Sequence, residues 1–207
     1  MKNRNATKHR LLGLALLAAI TVPVSAQAPA EQKMTAEQKA QMDAFVKAMT
    51  PGKQHQQLAA NVGTWDGSVS VWEAPGKPPQ VSQTHSERTM ALGGRVLQAH
   101  WTGSMMGMPF EGMGTTGYDN ASGKWWSTWT DTMTTGTLNS SGTCDADPKR
   151  GCVYTATMVD PATGKEAKNR TTLSWATPDE EKLEMFAAGP DGKEFKVMEI
   201  STHRVKK

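Results

Sequence analysis

The sequence has one long apolar run and no second one of that kind. The run covers residues 11–24, which is 14 residues and short of the roughly 20 that a membrane-spanning helix needs. A basic segment, residues 2–10, precedes it, and Val24-Ser25-Ala26 offers the small residues that signal peptidase prefers. No cysteine stands at the cleavage point, which excludes lipid attachment there. The pattern predicts a signal peptide over residues 1–26, cleavage near Ala26, a periplasmic or secreted protein, and no membrane anchor.

The chain also lacks a basic surplus once this segment is removed. Residues 1–26 hold four basic and no acidic groups, so the remaining 181 residues carry 19 basic and 20 acidic ones. A nearly neutral chain gives no electrostatic reason to expect nucleic acid or an anionic membrane as a partner. Its length suits one domain with a short preceding arm.

Cysteine is scarce, and the two that occur lie close together. Cys144 and Cys152 flank seven turn-rich residues, which can form a hairpin that brings its two ends together. In an oxidising compartment, pairing is the expected state of such cysteines. The spacing matches no zinc or redox motif. We therefore predict a local disulfide.

The sequence lacks the motifs that mark most catalytic, phosphate-binding and zinc sites. We find no nucleophile elbow, no phosphate loop, and no His-x-His or His-Glu-x-x-His unit. These absences argue against dedicated zinc binding, favour a binding protein over an enzyme, and imply no cofactor. They do not determine the oligomeric state.

What is present is one helical pattern followed by a long β pattern. Thr35 and Gln38 have the form of a capping box, and Met42, Phe45 and Met49 recur at helical spacing. A second helical turn is expected over residues 54–61. From Thr64 onward, short segments rich in Thr, Val, Trp and Met alternate with turn signals. The predicted strands are 64–73, 81–91, 95–104, 110–118, 124–131, 134–144, 152–159, 167–176, 182–188 and 194–204.

About ten strands with short connections predict an all-β fold, an antiparallel meander. A single sheet of this length must hide its edges and its apolar face, and a closed up-and-down barrel does both. The predicted organisation is a signal peptide at residues 1–26, a helical arm with a short entry helix at residues 27–62, and a β-barrel at residues 63–207.

Several motifs in this region resemble a known family. Gly63-Thr64-Trp65 resembles the entry strand of lipocalin-like (calycin-type) barrels, in which the tryptophan closes the barrel floor and a late arginine, here Arg204, packs across it. Leu92-Gly93-Gly94-Arg95, Gly107-Met108-Pro109-Phe110 and the run Ser127–Asp131 look like the bacterial family called domain of unknown function 1579. The resemblance covers nearly all of residues 50–204. It implies the barrel and brings no established activity.

The stretch 105–114, Met-Met-Gly-Met-Pro-Phe-Glu-Gly-Met-Gly, is the most unusual composition in the chain. Residues 105–109 are predicted to connect two strands at a barrel end. Three interpretations remain open for Met105, Met106 and Met108. They line a mouth for an apolar ligand together with Phe110, they seal the barrel end, or they bind Cu(I) with Met113 and His100.

The tryptophans and His100 complete the candidate site. Trp125 and Trp129 share one strand face with Asp131, and with Trp101 the tryptophans are either core or the lining of a ligand cavity. Asp131 is either a polar contact in that cavity or a strand-end residue that is solvated or caps the next turn. His100 lies within a central strand. Barrels of the nitrobindin kind hold haem with a lone histidine, but His100 cannot be aligned with that position.

The sequence thus predicts a protein that binds a small, largely apolar molecule in its barrel. The alternatives are a hydrolase or isomerase in the same cavity, a copper- or haem-binding barrel, and a structural or interaction module without a ligand.

Overall fold

The computed structural model describes residues 34–160, 163–189 and 191–206. The segment predicted as a signal peptide lies outside the described residues. Helix α1 spans Ala36–Met49 and helix α2 spans Lys53–Ala59. The strands are β1 (Gly63–Val71), β2 (Gln80–Ala91), β3 (Val96–Met105), β4 (Met108–Asp119), β5 (Lys124–Asp131), β6 (Leu138–Cys144), β7 (Cys152–Val159), β8 (Glu166–Thr177), β9 (Glu180–Ala188) and β10 (Glu194–Arg204).

The ten strands form one closed antiparallel barrel. Each strand pairs with the next in sequence, and β1 pairs with β10 to complete the ring. The predicted up-and-down barrel with an N-terminal helical arm is therefore confirmed. Closure gives every strand two neighbours and removes the exposed edges that an open sheet would have.

The predicted strand limits differ from the observed ones mainly at β6 and β9. Strand β6 begins at Leu138 rather than at residue 134, because the Asp131 carboxylate accepts hydrogen bonds from the backbone N–H groups of Met133 and Thr134 and holds them in a turn. Strand β9 begins at Glu180, two residues earlier than predicted. Glu181 therefore belongs to the barrel wall rather than to a connection.

Strand register decides which side chains face the interior. Trp65 on β1 lies opposite Ser86 on β2 and Arg204 on β10, and alternate residues along each strand share its orientation. Trp65 is fully buried.

One end of the barrel is covered by α2, and we call it the closed end. Leu58 on α2 is buried in a cluster with Leu97, Trp125, Cys152 and Tyr154, which point inward from the strands. At the other end, which we call the open end, the described strands are joined by turns and no helix lies across them. No helix in the described ranges is both long enough and apolar enough to cross a bilayer.

Helix α1 docks beside the closed end through its backbone rather than through its side chains. The predicted capping box is present, with Thr35 and Gln38 bonding each other's backbone N–H. The Asn120 side chain donates to the carbonyls at the C-terminus of the helix, and Arg95 donates to Met49 O at 2.8 Å. None of the α1 side chains is buried.

The predicted disulfide joins Cys144 at the end of β6 to Cys152 at the start of β7. The two residues are register partners, so the bridge ties the hairpin where the strands end. Cys152 is buried and belongs to the closed-end cluster. The bridge therefore connects the 145–151 loop directly to the core.

Candidate functional site

Three aromatic residues meet on the inner wall of the open half of the barrel. Phe110 and Trp129 are stacked, with ring centroids 6.3 Å apart and planes 15° from parallel. Trp101 meets Trp129 edge-on at the same centroid distance. All three point inward by strand register, and all three are only partly buried. They form an aromatic surface that solvent reaches, which we call the aromatic wall.

Glycines in β4 make room for this wall. A Cβ built on Gly112 would come 2.4 Å from the Trp129 ring, and one on Gly114 would come 3.2 Å from it. The Trp129 indole therefore lies flat against the β4 backbone. A side chain at either position would displace the Trp129 indole from β4 toward the barrel interior and reduce the free volume there.

Asp131 fixes the orientation of Trp129. Its carboxylate accepts the Trp129 Nε1–H at 2.6 Å and also the two N–H groups of the following turn. The sequence suggested Asp131 as a polar contact for a ligand. In the structure both of its oxygens are already engaged, so it positions the aromatic wall.

The methionines of the 105–114 stretch separate onto two faces. Met105 and Met108 are register partners at the open end, and Met106-Gly107 forms a two-residue turn between them. Met113 and His100 are register partners on the outer face, where His100 Nε2 lies 2.8 Å from Glu111 Oε1. The side chains considered for a copper site therefore do not converge, and His100 does not reach the interior where haem would lie.

Inward-facing side chains are buried to different degrees in the two halves of the barrel. At the closed end Leu97, Trp125 and Tyr154 are buried. In the open half the inward-facing residues of β9 and β10, such as Leu183 and Ile200, are only partly buried, as is the aromatic wall. The difference has exceptions at both ends, because Trp175 at the closed end is partly buried and Val69 in the open half is buried.

Comparison with known proteins agrees with this architecture. The family model described as "Protein of unknown function (DUF1579)" matches residues 50–204, which is the entry helix and the barrel. The chain belongs to the DUF1579 family. A search of curated proteins found no match.

Two solved structures share the fold of this DUF1579 barrel. Rv2717c from M. tuberculosis is 15% identical with a TM-score of 0.56, and the match covers 76% of this chain and 100% of that one. The S-type phycobiliprotein lyase CPES from Guillardia theta is 12% identical with a TM-score of 0.51, covering 79% of this chain and 97% of that one. At these identities the likeness shows the fold alone.

The DUF1579 barrel contains a buried ion pair that the sequence did not reveal. Arg88 on β2 donates two hydrogen bonds to Glu181 on β9, at 2.8 and 2.9 Å, and both side chains are more than nine-tenths buried. The guanidinium lies between two rings, 4.5 Å from the centroid of Trp65 and 5.0 Å from that of Trp101. Strand β2 has polar residues on both faces. Its sequence therefore shows no alternation of apolar and polar residues that would have placed Arg88 inside the barrel.

Polar groups around this pair have few partners. The Trp175 Nε1 and Thr202 Oγ1 atoms flank Glu181 in the register and are buried without a hydrogen-bond partner among the described residues.

Burial, aided by the charge of Glu181, raises the pKa of the Tyr154 hydroxyl above its ordinary range. Tyr154 is therefore a neutral hydroxyl at physiological pH.

The floor of the closed end is built around Trp65 and Arg204. The Arg204 guanidinium carbon lies 4.3 Å from the Trp65 ring centroid, which is the arrangement that the resemblance implied. Arg204 also donates to Asp179 Oδ1 at 2.7 Å and to the carbonyls of Ala60 and Val62, just after α2. One side chain thus ties the last strand, the β8–β9 turn and the entry segment together.

A second concave region of the barrel lies over β8, β9 and β10. An open depression of about 650 Å³ lies over β8, β9 and β10, and its lining includes the outward-facing Lys182 and His203 and also the inward-facing Glu181. It is wide and open to solvent, and it lacks the stacked rings of the interior. Within the described ranges, no group of three or more His, Cys, Asp or Glu residues could hold a metal ion.

Proposed function

We propose that this DUF1579 protein binds a small, largely apolar molecule inside the barrel, entering through the open end. The observation that carries the proposal is the aromatic wall: Trp101, Phe110 and Trp129 remain partly exposed on the inner surface of a barrel whose other end is filled. Concave aromatic surfaces of this kind are typical of small-molecule sites. Met105 and Met108 at the rim add adaptable apolar surface.

The interior carboxylates favour binding over catalysis. Glu181 is paired with Arg88, and Asp131 is bonded to Trp129 and to the following turn. Neither carboxylate is a free acid or base, because both are already hydrogen-bonded to protein groups. The similarity to a protein named as a phycobiliprotein lyase supports the idea that this barrel shape accommodates a small molecule.

Fluorescence titration with pyrene tests the proposal. Pyrene should quench the tryptophan emission of the barrel in a saturable way, because it would lie beside Trp101 and Trp129. Phe110→Ala removes the ring stacked on Trp129 and should weaken pyrene binding at least fivefold. Phe186→Ala is the matched control, because Phe186 lies on the outer face beneath Arg170. Absence of saturable quenching, or equal effects of the two variants, would overturn the proposal.

We also propose that the chain is exported to the periplasm or secreted. The support is the basic and apolar pattern of residues 1–26 together with the Cys144–Cys152 disulfide, a bond typical of oxidising compartments. Cell fractionation followed by N-terminal sequencing tests this. We expect a mature chain beginning at Gln27 in the exported fraction. An intact N-terminus in the cytoplasmic fraction would contradict it.

A further inference from the structure

The inner wall of the barrel carries a row of small polar residues. Thr116 lies opposite Ser127, Ser127 opposite Ser140, Ser140 opposite Ala156, and Ala156 opposite Asn169, so the row crosses five neighbouring strands. All five side chains face inward by register, and all except Ala156 are polar. Ser127 lies on β5 between Trp125 of the closed-end cluster and Trp129 of the aromatic wall. We call this the polar row.

The hydroxyls of the polar row are not used by the protein. In the part of the chain that the structure describes, the side chains of Thr116, Ser127 and Ser140 make no hydrogen bond to a protein group. All three are partly exposed, although they face the inside of a closed barrel. Their exposed surface therefore borders the interior space.

Asn169, at one end of the polar row, offers an amide group to the interior. Its side chain is more than nine-tenths buried, and its Nδ2 donates only to the thioether sulfur of Met158, at 2.9 Å. A thioether is a weak acceptor. The Asn169 carbonyl oxygen accepts no hydrogen bond from the described residues. This oxygen is not one of the described side-chain atoms that are buried without a partner, so it is accessible and can accept a hydrogen bond from a ligand.

The wall that faces the polar row is aliphatic. Inward-facing positions in the middle of β9, β10 and β1 include Leu183, Met185, Ile200 and Val69, whereas the polar Glu181 and Thr202 lie nearer the closed end. The interior is therefore two-sided, with hydroxyl and amide groups on one wall and aliphatic groups on the other. An interior filled only by the protein would gain more from aliphatic residues at the serine positions.

The interior also disfavours an acidic ligand. Both oxygens of Glu181 are bonded by Arg88, so this guanidinium is not available to a carboxylate. Arg204 is engaged by Asp179 and by backbone carbonyls at the floor. A negatively charged group would be desolvated without a counterion.

We infer that the ligand is an uncharged, largely apolar molecule with hydroxyl or carbonyl groups along one edge, and that the polar row binds this edge. The apolar body lies against the aliphatic wall and the aromatic wall. This inference rests on the proposed binding function and narrows its ligand class.

Three probes that differ in one substituent test the inference: pyrene, 1-hydroxypyrene and 1-pyrenecarboxylate. We expect 1-hydroxypyrene to bind about tenfold more tightly than pyrene, as one or two hydrogen bonds to the polar row would give. The carboxylate should bind more weakly than pyrene. If 1-hydroxypyrene binds no better than pyrene, or if the carboxylate binds best, the inference is overturned.

Variants of the polar row test whether its hydroxyls cause the preference for 1-hydroxypyrene over pyrene. In Ser127→Ala/Ser140→Ala the preference for 1-hydroxypyrene over pyrene should fall to about twofold or less, because its partners are lost. Thr128→Ala/Ser141→Ala, on the outer face of the same strands, should keep the full preference. If the first variant folds poorly, Thr116→Val, which conserves the side-chain shape, gives the same readout. Retention of the full preference by the inner variants overturns the inference.

Failure of this inference can be told apart from failure of the proposed function. Saturable pyrene binding without a hydroxyl preference would remove the polar row as a binding element and leave the apolar site in place. Absence of binding by all three probes would overturn both.

Discussion

Arg88 and Glu181 form a two-bond ion pair inside the barrel, between strands that are far apart in sequence and not adjacent in the sheet. The pair crosses the interior near the closed end, and the guanidinium is also held between Trp65 and Trp101. It links β2 to β9 and separates the filled floor from the open half.

Breaking this pair from one side should destabilise the barrel strongly. Glu181→Gln leaves the Arg88 charge buried without its counterion, and we expect a loss of about 3 to 5 kcal/mol in the free energy of unfolding. Glu194→Gln is the control, because it breaks the exposed pair with Arg170 and should cost about 1 kcal/mol or less. Chemical denaturation of both variants gives the comparison. Similar small losses would mean that the interior pair is solvated.

Trp65 should be a principal contributor to stability at the floor. It is fully buried beneath Arg204 and donates from Nε1 to Asn61 O at 3.1 Å. Trp65→Ala should therefore lower the free energy of unfolding by about 3 to 5 kcal/mol. Trp126→Ala, on the outer face, should cost clearly less. A near-neutral effect of Trp65→Ala would contradict its role in closing the barrel.

A substitution in the Met106-Gly107 turn at the open end should stabilise the protein. Met106 adopts a φ of 52° and Gly107 one of 77°, so both central residues of this two-residue hairpin are left-handed. Asn-Gly is the preferred sequence for such a turn, whereas methionine is strained there. Met106→Asn should raise the free energy of unfolding by about 0.5 to 1 kcal/mol. Met113→Asn, in a strand, should give no gain. Equal thermal shifts in both variants would argue against the turn explanation.

Tyr154 should make the barrel sensitive to alkali. Its folded-state pKa is raised, because burial and then the charge of Glu181 disfavour the phenolate. The unfolded chain therefore loses this proton first as the pH rises. The contribution of the Tyr154 hydroxyl to the free energy of unfolding is fully present below the ordinary tyrosine pKa of about 10 and is lost as the pH rises above it.

Two variants test this alkaline effect. Tyr118→Phe leaves Tyr154 as the only tyrosine, so phenolate absorbance reports its ionisation directly. We expect no phenolate at pH 10 while the protein remains folded. Tyr154→Phe should lose less stability than the wild type between pH 9 and pH 11. Ionisation of Tyr154 at its ordinary pKa in the folded protein would refute the prediction.

The strands and the sheet topology could be predicted from the sequence because they depend on local signals. Turn residues such as Gly93-Gly94 and Asp119-Asn120 mark where strands end, and the alternation in β1 predicts one buried face. The cysteine pair and the capping box of α1 are likewise local, since their partners lie within a few residues. The structure agrees with these predictions.

The candidate site was only partly predictable. Trp101, Phe110 and Trp129 were named from the sequence, but their mutual stacking depends on the pairing of three strands. His100 and Met113 were grouped with Met105 because they are near in sequence. Side chains alternate between the two faces along β3 and β4, and this places His100 and Met113 on the face opposite to Met105. Arg88, Glu181 and the polar row were missed, because charged and hydroxyl residues normally indicate the solvent side.

Local signals in the sequence specify a ten-stranded antiparallel barrel preceded by a helical arm, because turn chemistry and alternation act over a few residues. What the barrel encloses depends on long-range strand pairing, which local signals do not reveal. Closing the ring gives each side chain an inside or an outside position through register. That closure places an ion pair, a row of free hydroxyls and three aromatic rings around one interior, although their residues are spread from Arg88 to Glu181 along the chain.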